Sequence, residues 1–187
     1  MEKEKITVAS FSGSLRKGSY NTMLLKYIQK VSPPYINFEI IDISQIPLYN
    51  EDVRIQGEPS PVKIFKEKLG LADALIIATP EYNYSFSGVT KNAIDWASRP
   101  LDTSPLNEKP VAFVSVGGRF GGSRAVYHLH QVAIFTNMYP LNKPELLISN
   151  GAESFDENGN PIDSKIEERV LKLLDALYEW TFRLKKK

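Results

Sequence analysis

Residues 13–21 read Gly13-Ser14-Leu15-Arg16-Lys17-Gly18-Ser19-Tyr20-Asn21, and the fold of the chain can be worked out from this stretch. It follows an apolar run, residues 6–10, that predicts a strand, and it precedes the apolar positions of a helix that ends near Val31. The order strand, loop, helix places the stretch over a helix N-terminus, where unpaired N–H groups and the positive end of the helix dipole favour an anion. We therefore interpret it as a phosphate-binding loop.

The residue types in this loop suit a phosphate. Its two glycines allow the backbone to approach a ligand closely or to adopt positive φ. Its polar side chains offer two hydroxyls, a guanidinium and an amide, from Ser14, Ser19, Arg16 and Asn21. A surface turn that holds no ligand is the alternative interpretation of the same residues.

The spacing excludes two common phosphate loops. Gly13 and Gly18 have the separation found in nucleoside triphosphate loops, but Ser19-Tyr20 stands where that motif requires Lys followed by Ser or Thr. The dinucleotide pattern G-x-G-x-x-G is also missing, since Leu15 stands two positions after Gly13. A monophosphate held mainly by hydroxyls remains.

Length and composition narrow the class of protein. The 187 residues predict one domain, residues 1–187, and the 23 basic and 22 acidic side chains imply no net attraction to nucleic acid or to a membrane surface. Cysteine is absent, which excludes disulfides and thiolate chemistry, so any electron transfer would need a bound cofactor. The charged N-terminus, Met1–Lys5, and the lack of an apolar run of about 18 residues predict a cytoplasmic protein.

The rest of the chain alternates between strand and helix patterns. We predict strands at 6–10, 38–43, 74–78, 111–116 and 145–148. We predict helices near 23–31, 61–69, 89–98, 123–137 and 164 onwards, the last ending in a solvated basic tail, residues 185–187. The segment 50–61 is polar and is expected to be irregular, either mobile or lying over a neighbouring molecule. Five strands alternating with five helices favour an α/β fold, a doubly wound parallel sheet with helices on both faces.

Three loops follow the carboxyl ends of strands in this arrangement and should meet at one ligand. The loop after the third strand, residues 79–88, holds Tyr82, Tyr84 and Phe86, which together favour a flat ring system, although each could simply pack the loop down. The loop after the fourth strand begins at Ser115 and contains four glycines, which suits close approach to a ligand or a flexible turn.

These three segments resemble the FMN-binding segments of the NADPH-dependent FMN reductase family, the flavodoxin-like group that includes quinone, chromate and azo-dye reductases. The resemblance is carried by residues 13–21, by Pro80-Glu81-Tyr82-Asn83 and by residues 115–122, and it covers nearly the whole chain. It implies a flavodoxin-like five-stranded sheet and an oxidoreductase. Such an enzyme would pass hydride from NADPH, or NADH, through bound FMN to a small acceptor such as a quinone, azo compound, chromate or free flavin.

The resemblance also implies roles for particular residues. Ser14, Arg16, Ser19 and Asn21 would hold the FMN phosphate, with Tyr20 in the same loop as a further cofactor-binding residue. Residues 80–83, that is Pro80, Glu81, Tyr82 and Asn83, would run along the isoalloxazine and ribityl groups. Ser115, Gly117 and Gly118 would close the other side. No catalytic side chain is expected, because the flavin N5 would carry the chemistry. No metal site is expected either, because His128 and His130 lie two residues apart on a predicted helix and would point in different directions.

Several features of the sequence allow more than one interpretation. Arg99, Arg119 and Arg124 could meet the phosphates of the nicotinamide dinucleotide, or could pair with a carboxylate or a neighbouring subunit. The helix near 123–137 is apolar on more than one side, which indicates either a subunit contact or burial within the domain. The family commonly forms dimers or tetramers, so a homo-oligomer is expected. A flavodoxin-like electron carrier and a non-catalytic flavin-binding module are the alternative functions, although carriers are usually more acidic around the flavin.

Overall fold

The computed structural model describes residues 3–185, which form strands and helices in alternation. The strands are β1 (Ile6–Ser12), β2 (Ile36–Ile40), β3 (Ala74–Ala78), β4 (Glu81–Tyr82), β5 (Ser85–Phe86), β6 (Pro110–Val116), β7 (Tyr139–Pro140) and β8 (Leu146–Ile148). The helices are α1 (Tyr20–Val31), α2 (Glu51–Gln56), α3 (Ser60–Leu71), α4 (Gly88–Ala97), α5 (Ser123–Thr136), α6 (Gly151–Ser154) and α7 (Ser164–Lys185). A 3₁₀ turn covers Leu101–Thr103.

The main sheet is parallel, with the order β2-β1-β3-β6. The fifth position is divided between β7 and β8, which pair in succession with the two ends of β6. This is the flavodoxin-like order, and the winding reverses at β1 because β2 lies on one side of it and β3 on the other. The carboxyl ends of β1 and β3 are therefore the switch point at which folds of this kind bind ligands.

Both faces of the sheet are covered, as the continuous apolar run of β3 predicts. Ala74, Ile76 and Ala78 contribute to one core, which also contains side chains of α1 and α7. Leu75 and Ile77 contribute to the other core, together with side chains of α3, α4 and α5. Alternate side chains of β3 thus pack into two apolar layers. Packing on both faces fixes the carboxyl end of this strand at the centre of the sheet.

The predicted fold class, the five parallel strand positions and the five long helices are confirmed, with differences at the ends. The second strand ends at Ile40 rather than at residue 43, because Ile41 and Ile43 are buried in a loop that leaves the sheet. The segment expected to be irregular contains α2, which starts where the Asn50 side chain accepts a hydrogen bond from the N–H of Asp52 at 2.8 Å. The β4–β5 hairpin, β7 and α6 were not predicted.

The end of α7 differs from the predicted solvated tail in one respect. Lys185 pairs with Asp73, with 2.7 Å between its Nζ and a carboxylate oxygen, so this cation is held against the body of the protein. Lys186 and Lys187 of the predicted tail lie outside the described residues, as do Met1 and Glu2 of the charged N-terminal segment. Within residues 3–185, no helix has the length and apolar composition needed to cross a bilayer.

Candidate FMN site

A cavity of about 460 Å³, a size typical of small-molecule sites, lies at the carboxyl ends of the central strands. Four segments of the chain line it, following β1, β3, β6 and β8 in turn. The lining residues are Ser14, Arg16, Ser19, Tyr20, Asn21, Pro80, Glu81, Tyr82, Val116, Gly117, Gly118, Asn150, Gly151, Ala152 and Glu153. The convergence predicted for three loops is confirmed, and a fourth segment joins them.

The loop after β1 presents the start of α1 to this cavity. Ser19 is the N-cap of the helix, and its Oγ accepts a hydrogen bond from the N–H of Thr22 at 3.3 Å, which leaves the hydroxyl proton available for an anion. The first turn of α1 contains no acidic residue that would offset the positive end of the helix dipole. The guanidinium of Arg16 lies 5.3 Å from the centre of the Tyr20 ring. Donors and dipole together suit a phosphate.

Asn21 joins this loop to β6. Its Nδ2 donates to the carbonyl oxygen of Val116 at 3.0 Å, and its Oδ1 accepts from the N–H of Val116 at 2.9 Å. These two hydrogen bonds fix the first turn of α1 against the end of β6. Asn21 lines the cavity as well, but its main task in this structure is to position the loop, and its contact with phosphate stays a prediction.

Gly13 has a packing role in this structure. A Cβ at Gly13 would lie 1.8 Å from Oγ1 of Thr90 on α4. The carbonyl oxygen of Gly13 accepts a hydrogen bond from Oγ of Ser87 at 2.6 Å. The loops after β1 and β3 are therefore locked together at this glycine.

The loop after β3 is a short antiparallel hairpin, β4–β5. Asn83 and Tyr84 form its turn with φ of 50° and 66°, the left-handed conformation that both central residues of a type I′ hairpin turn adopt. Asn83 is exposed at this turn and does not line the cavity, whereas Pro80, Glu81 and Tyr82 do. Tyr82 is 53% exposed, so it offers a ring surface at the cavity wall.

The glycine-rich loop after β6 has two kinds of glycine. Gly122 has φ of 77°, and a Cβ there would lie 1.9 Å from Oγ of Ser115, so this position supports the loop itself. A Cβ at Gly118 would meet nothing within 4 Å, and Gly118 lines the cavity. Ser115 is fully buried, and its Oγ donates to the carbonyl oxygen of Thr79 at 2.7 Å, which joins β6 to the residue that follows β3.

The fourth lining segment, residues 150–153, was missed by sequence reasoning. It begins at Asn150, which has φ of 50°, and continues into the single turn α6. The Asn150-Gly151 pair and the residues after it predict a turn, but they do not predict that this turn lies at the cavity. The sequence signal that could have placed it there is its position directly after β8, a strand parallel to β6.

Ten of the twelve predicted cofactor-binding residues line one cavity. Asn83 and Ser115 do not line it. Asn83 forms the turn of the hairpin, and the Ser115 side chain hydrogen-bonds to Thr79. This clustering supports the predicted cofactor roles, which stay predictions for each residue.

The three arginines considered for the nicotinamide dinucleotide have different surroundings. Arg124 pairs with Glu81, with 2.6 Å between Nη2 and Oε1. Arg99 donates to the hydroxyl of Ser98 at 3.1 Å and lies over Phe135. Arg119 lies in the exposed glycine-rich loop beside the cavity.

Comparison with known proteins gives the family. The chain matches the sequence model of the NADPH-dependent FMN reductase family over residues 6–153. It is 49% identical over 183 residues to an NAD(P)H-dependent FMN reductase of Pseudomonas aeruginosa, covering 97% of this chain and 98% of the relative. It is 39% identical over 188 residues to the quinone reductase of Escherichia coli K12, covering 97% and 98%. Among solved structures, the flavoenzyme NAD(P)H:(acceptor) oxidoreductase FerB from Paracoccus denitrificans matches with a TM-score of 0.85 and 32% identity, covering 95% of this chain and 98% of that one.

A flavodoxin-like sheet with a cavity at its switch point, lined by donors that suit a phosphate, defines a class of flavin-binding folds. Within that class, the chain belongs to the NADPH-dependent FMN reductase family. It is an NAD(P)H-driven flavin oxidoreductase with FMN as its cofactor. The enzyme predicted from the sequence is therefore confirmed, in preference to the electron carrier or the non-catalytic flavin-binding module.

The residues present fit FMN. The hydroxyls of Ser14 and Ser19, the guanidinium of Arg16 and the start of α1 match a phosphate monoester in charge and donor type. Gly118 leaves space on one side of the cavity, and Tyr82 gives an aromatic surface on another.

Proposed function

We propose that this protein reduces small, flat organic acceptors, quinones above all, with electrons from NADPH through FMN held in the cavity described above. The observation that carries the proposal is the joining of phosphate donors, an exposed tyrosine ring and an open glycine loop in one cavity of about 460 Å³. Support also comes from a relative named NADPH:quinone oxidoreductase in Arabidopsis thaliana, 42% identical over 191 residues and covering 99% of this chain and 96% of the relative.

The proposed roles of the residues follow from their positions. Ser14, Arg16 and Ser19 would bind the phosphate, and Asn21 would hold their loop in place. Pro80, Glu81 and Tyr82 would form one wall beside the flavin ring, and Gly117 and Gly118 the opposite wall, with residues 150–153 closing the side next to Tyr20. FMN supplies hydride acceptance and donation, and no side chain of this chain is assigned a proton transfer.

The protein's contribution to the reaction would be binding and orientation. Interactions at the phosphate end fix the cofactor without touching the reacting atoms, so the ring edge and one ring face stay free for nicotinamide and acceptor in turn. Successive use of one face by two substrates predicts ping-pong kinetics. An open face also predicts broad acceptor use, limited by flatness and size rather than by a hydrogen-bonding pattern.

The acceptor and cofactor assignments can be tested together. Purified protein should show a flavin absorption spectrum that bleaches when NADPH is added without oxygen and returns when a benzoquinone is added. Steady-state oxidation of NADPH and of NADH should then be compared with a quinone, an azo dye, chromate and free FMN. Bleaching without turnover of any of these acceptors would contradict the proposed function, and a colourless protein that does not take up FMN would contradict the proposed site.

A variant pair tests the phosphate loop. Arg16→Gln should raise the dissociation constant for FMN by about tenfold or more, because it removes a charge-assisted contact worth about 1.5–3 kcal/mol. Lys17→Gln is the matched control, since Lys17 is adjacent but does not line the cavity. Equal FMN affinities of the two variants would show that Arg16 does not hold the phosphate.

We also propose that the protein is a single-domain, cytoplasmic homo-oligomer. Large apolar side chains are exposed around the site and on α5, with Leu48 83% and Ile134 81% exposed, and a second copy would bury them. Sedimentation velocity should give a dimer or tetramer, and Ile134→Glu should shift it towards the monomer. A wild-type monomer at micromolar concentration would contradict the oligomer.

A further inference from the structure

Glu81 faces two ways in this structure. It lines the cavity through the strand β4, and its side chain, only 12% exposed, turns back towards α5. There its Oε1 lies 2.6 Å from both Nε and Nη2 of Arg124. The planar guanidinium thus holds one carboxylate oxygen with two donors, a geometry that a lysine cannot reproduce.

The same carboxylate completes the start of α5. The N-cap of this helix is Gly122, which has no side chain to accept from the first N–H groups. Glu81 Oε2 accepts from the backbone N–H of Arg124 at 3.2 Å, so a residue of the hairpin caps the helix. The cavity wall and α5 are therefore one hydrogen-bonded unit.

Two further contacts on the same face of α5 hold the hairpin. The Arg124 guanidinium lies 3.8 Å from the centre of the Tyr84 ring, a cation–π contact. One helical turn later, Nδ1 of His128 lies 3.0 Å from Oγ of Ser85. Residues four apart share a helix face, so one face of α5 contacts both strands of the hairpin.

From these contacts we infer that Arg124 is a positioning residue for the flavin, acting through Glu81. It fixes the Glu81–Tyr82 strand as a wall of the cavity and balances the Glu81 carboxylate beside the ring. Because Nε and Nη2 of Arg124 face Glu81 and its guanidinium lies over the Tyr84 ring, we assign Arg124 to this contact rather than to the nicotinamide dinucleotide. The inference rests on the proposed placement of FMN in this cavity.

The first test measures FMN binding to apoprotein by flavin fluorescence quenching. Arg124→Gln and Glu81→Gln should each raise the dissociation constant about tenfold, Arg124→Lys less, and the double variant no more than either single one, because each removes the same interaction. The matched control is Lys172→Gln, which removes the cation of an exposed ion pair with Glu168 on α7 and should bind FMN as the wild type does. Circular dichroism of each apoprotein checks folding, and Arg124→Lys replaces Arg124→Gln if the latter is unfolded.

The second test separates positioning from a merely structural role. The midpoint potential of bound FMN should become more negative in Arg124→Gln, where the carboxylate is left unbalanced, and more positive in Glu81→Gln, where the cation is left unbalanced. A purely structural role would shift both potentials in the same direction. In protein saturated with FMN, the KM for NADPH should stay within about twofold of wild type in Arg124→Gln.

The experiments distinguish a failure of the proposed function from a failure of the inference about Arg124. Wild-type protein that fails to bind FMN overturns the proposed function and this inference together. If the wild type and Lys172→Gln bind FMN but Arg124→Gln binds it equally well, or if the two single variants are additive in the double variant, this inference alone is overturned. A large rise in the KM for NADPH with unchanged FMN affinity would instead assign Arg124 to the nicotinamide dinucleotide.

Discussion

Gly151 lies against the ring of Tyr20, so closely that a Cβ at Gly151 would come within 2.8 Å of Cδ2 and 2.9 Å of Cγ of that ring. The same Cβ would lie 2.9 Å from Cγ1 of Val116. Tyr20 begins α1, and Gly151 begins α6, so the missing side chain lets two segments of the candidate FMN site meet.

Gly151→Ala should therefore displace the Tyr20 ring into the cavity and raise the dissociation constant for FMN about tenfold, with a loss of stability of about 1–3 kcal/mol from overpacking. Gly88→Ala is the control, because a Cβ there would meet nothing within 4 Å. Fluorescence titration and urea unfolding of both variants measure the two effects. Unchanged FMN affinity in Gly151→Ala would mean that α6 does not bound the site.

Asn21→Ala should destabilise the protein by about 2–4 kcal/mol. It removes two hydrogen bonds and leaves the N–H and carbonyl of Val116 without these partners in a buried place, which costs more than losing a solvated pair. FMN affinity should fall as well, because the first turn of α1 is no longer fixed to β6.

The control for Asn21→Ala is Asn37→Ala, which truncates an exposed asparagine on β2. Urea unfolding should show a change within about 0.5 kcal/mol for this control. A similarly small change in Asn21→Ala would contradict the positioning role given to that amide.

Alanine should have different effects at two glycines of the loop after β6, lowering stability at Gly122 and FMN affinity at Gly118. Gly122→Ala places a side chain at φ of 77° and against Oγ of Ser115, and should cost about 2–4 kcal/mol of stability. Gly118→Ala should leave stability within about 0.5 kcal/mol but weaken FMN binding, because its Cβ would enter the cavity. Thermal unfolding and FMN titration of both variants decide this. Equal stability losses would show that Gly118 is also needed by the fold.

The stability of the protein should depend on pH through His130. Burial lowers the pKa of this residue below its ordinary value of about 6.5, and Glu145 opposes that shift. As the pH falls, His130 is therefore protonated at a higher pH in the unfolded chain than in the folded protein. Its contribution to the free energy of unfolding is present above about pH 6.5 and is lost as the pH falls from that value through the lower folded pKa.

Urea unfolding of the wild type and of His130→Gln at several pH values between about 5 and 8 measures this contribution. The difference in free energy of unfolding between them should shrink as the pH falls. His128→Gln removes a second histidine from the same helix and is the matched control. A wild-type and His130→Gln difference that does not change with pH would contradict the expectation.

The sequence by itself determined the fold class, the family and most of the cavity. Residues 74–78 and 13–21 are local signals. A strand buried on both faces requires consecutive apolar residues, and an anion site at a helix start requires consecutive small and polar residues. Parallel strands bring such loops to one edge, so ten of the twelve chosen residues meet there.

The tertiary structure decided what each polar side chain does. Asn21 and Ser115 hydrogen-bond to residues 95 and 36 positions away in the chain. A side chain at Gly13 would clash with Thr90, and Arg124 forms an ion pair with Glu81. Residues 150–153 reach the cavity only because β8 pairs with β6. These roles depend on contacts between segments distant in sequence, and no local pattern records such contacts.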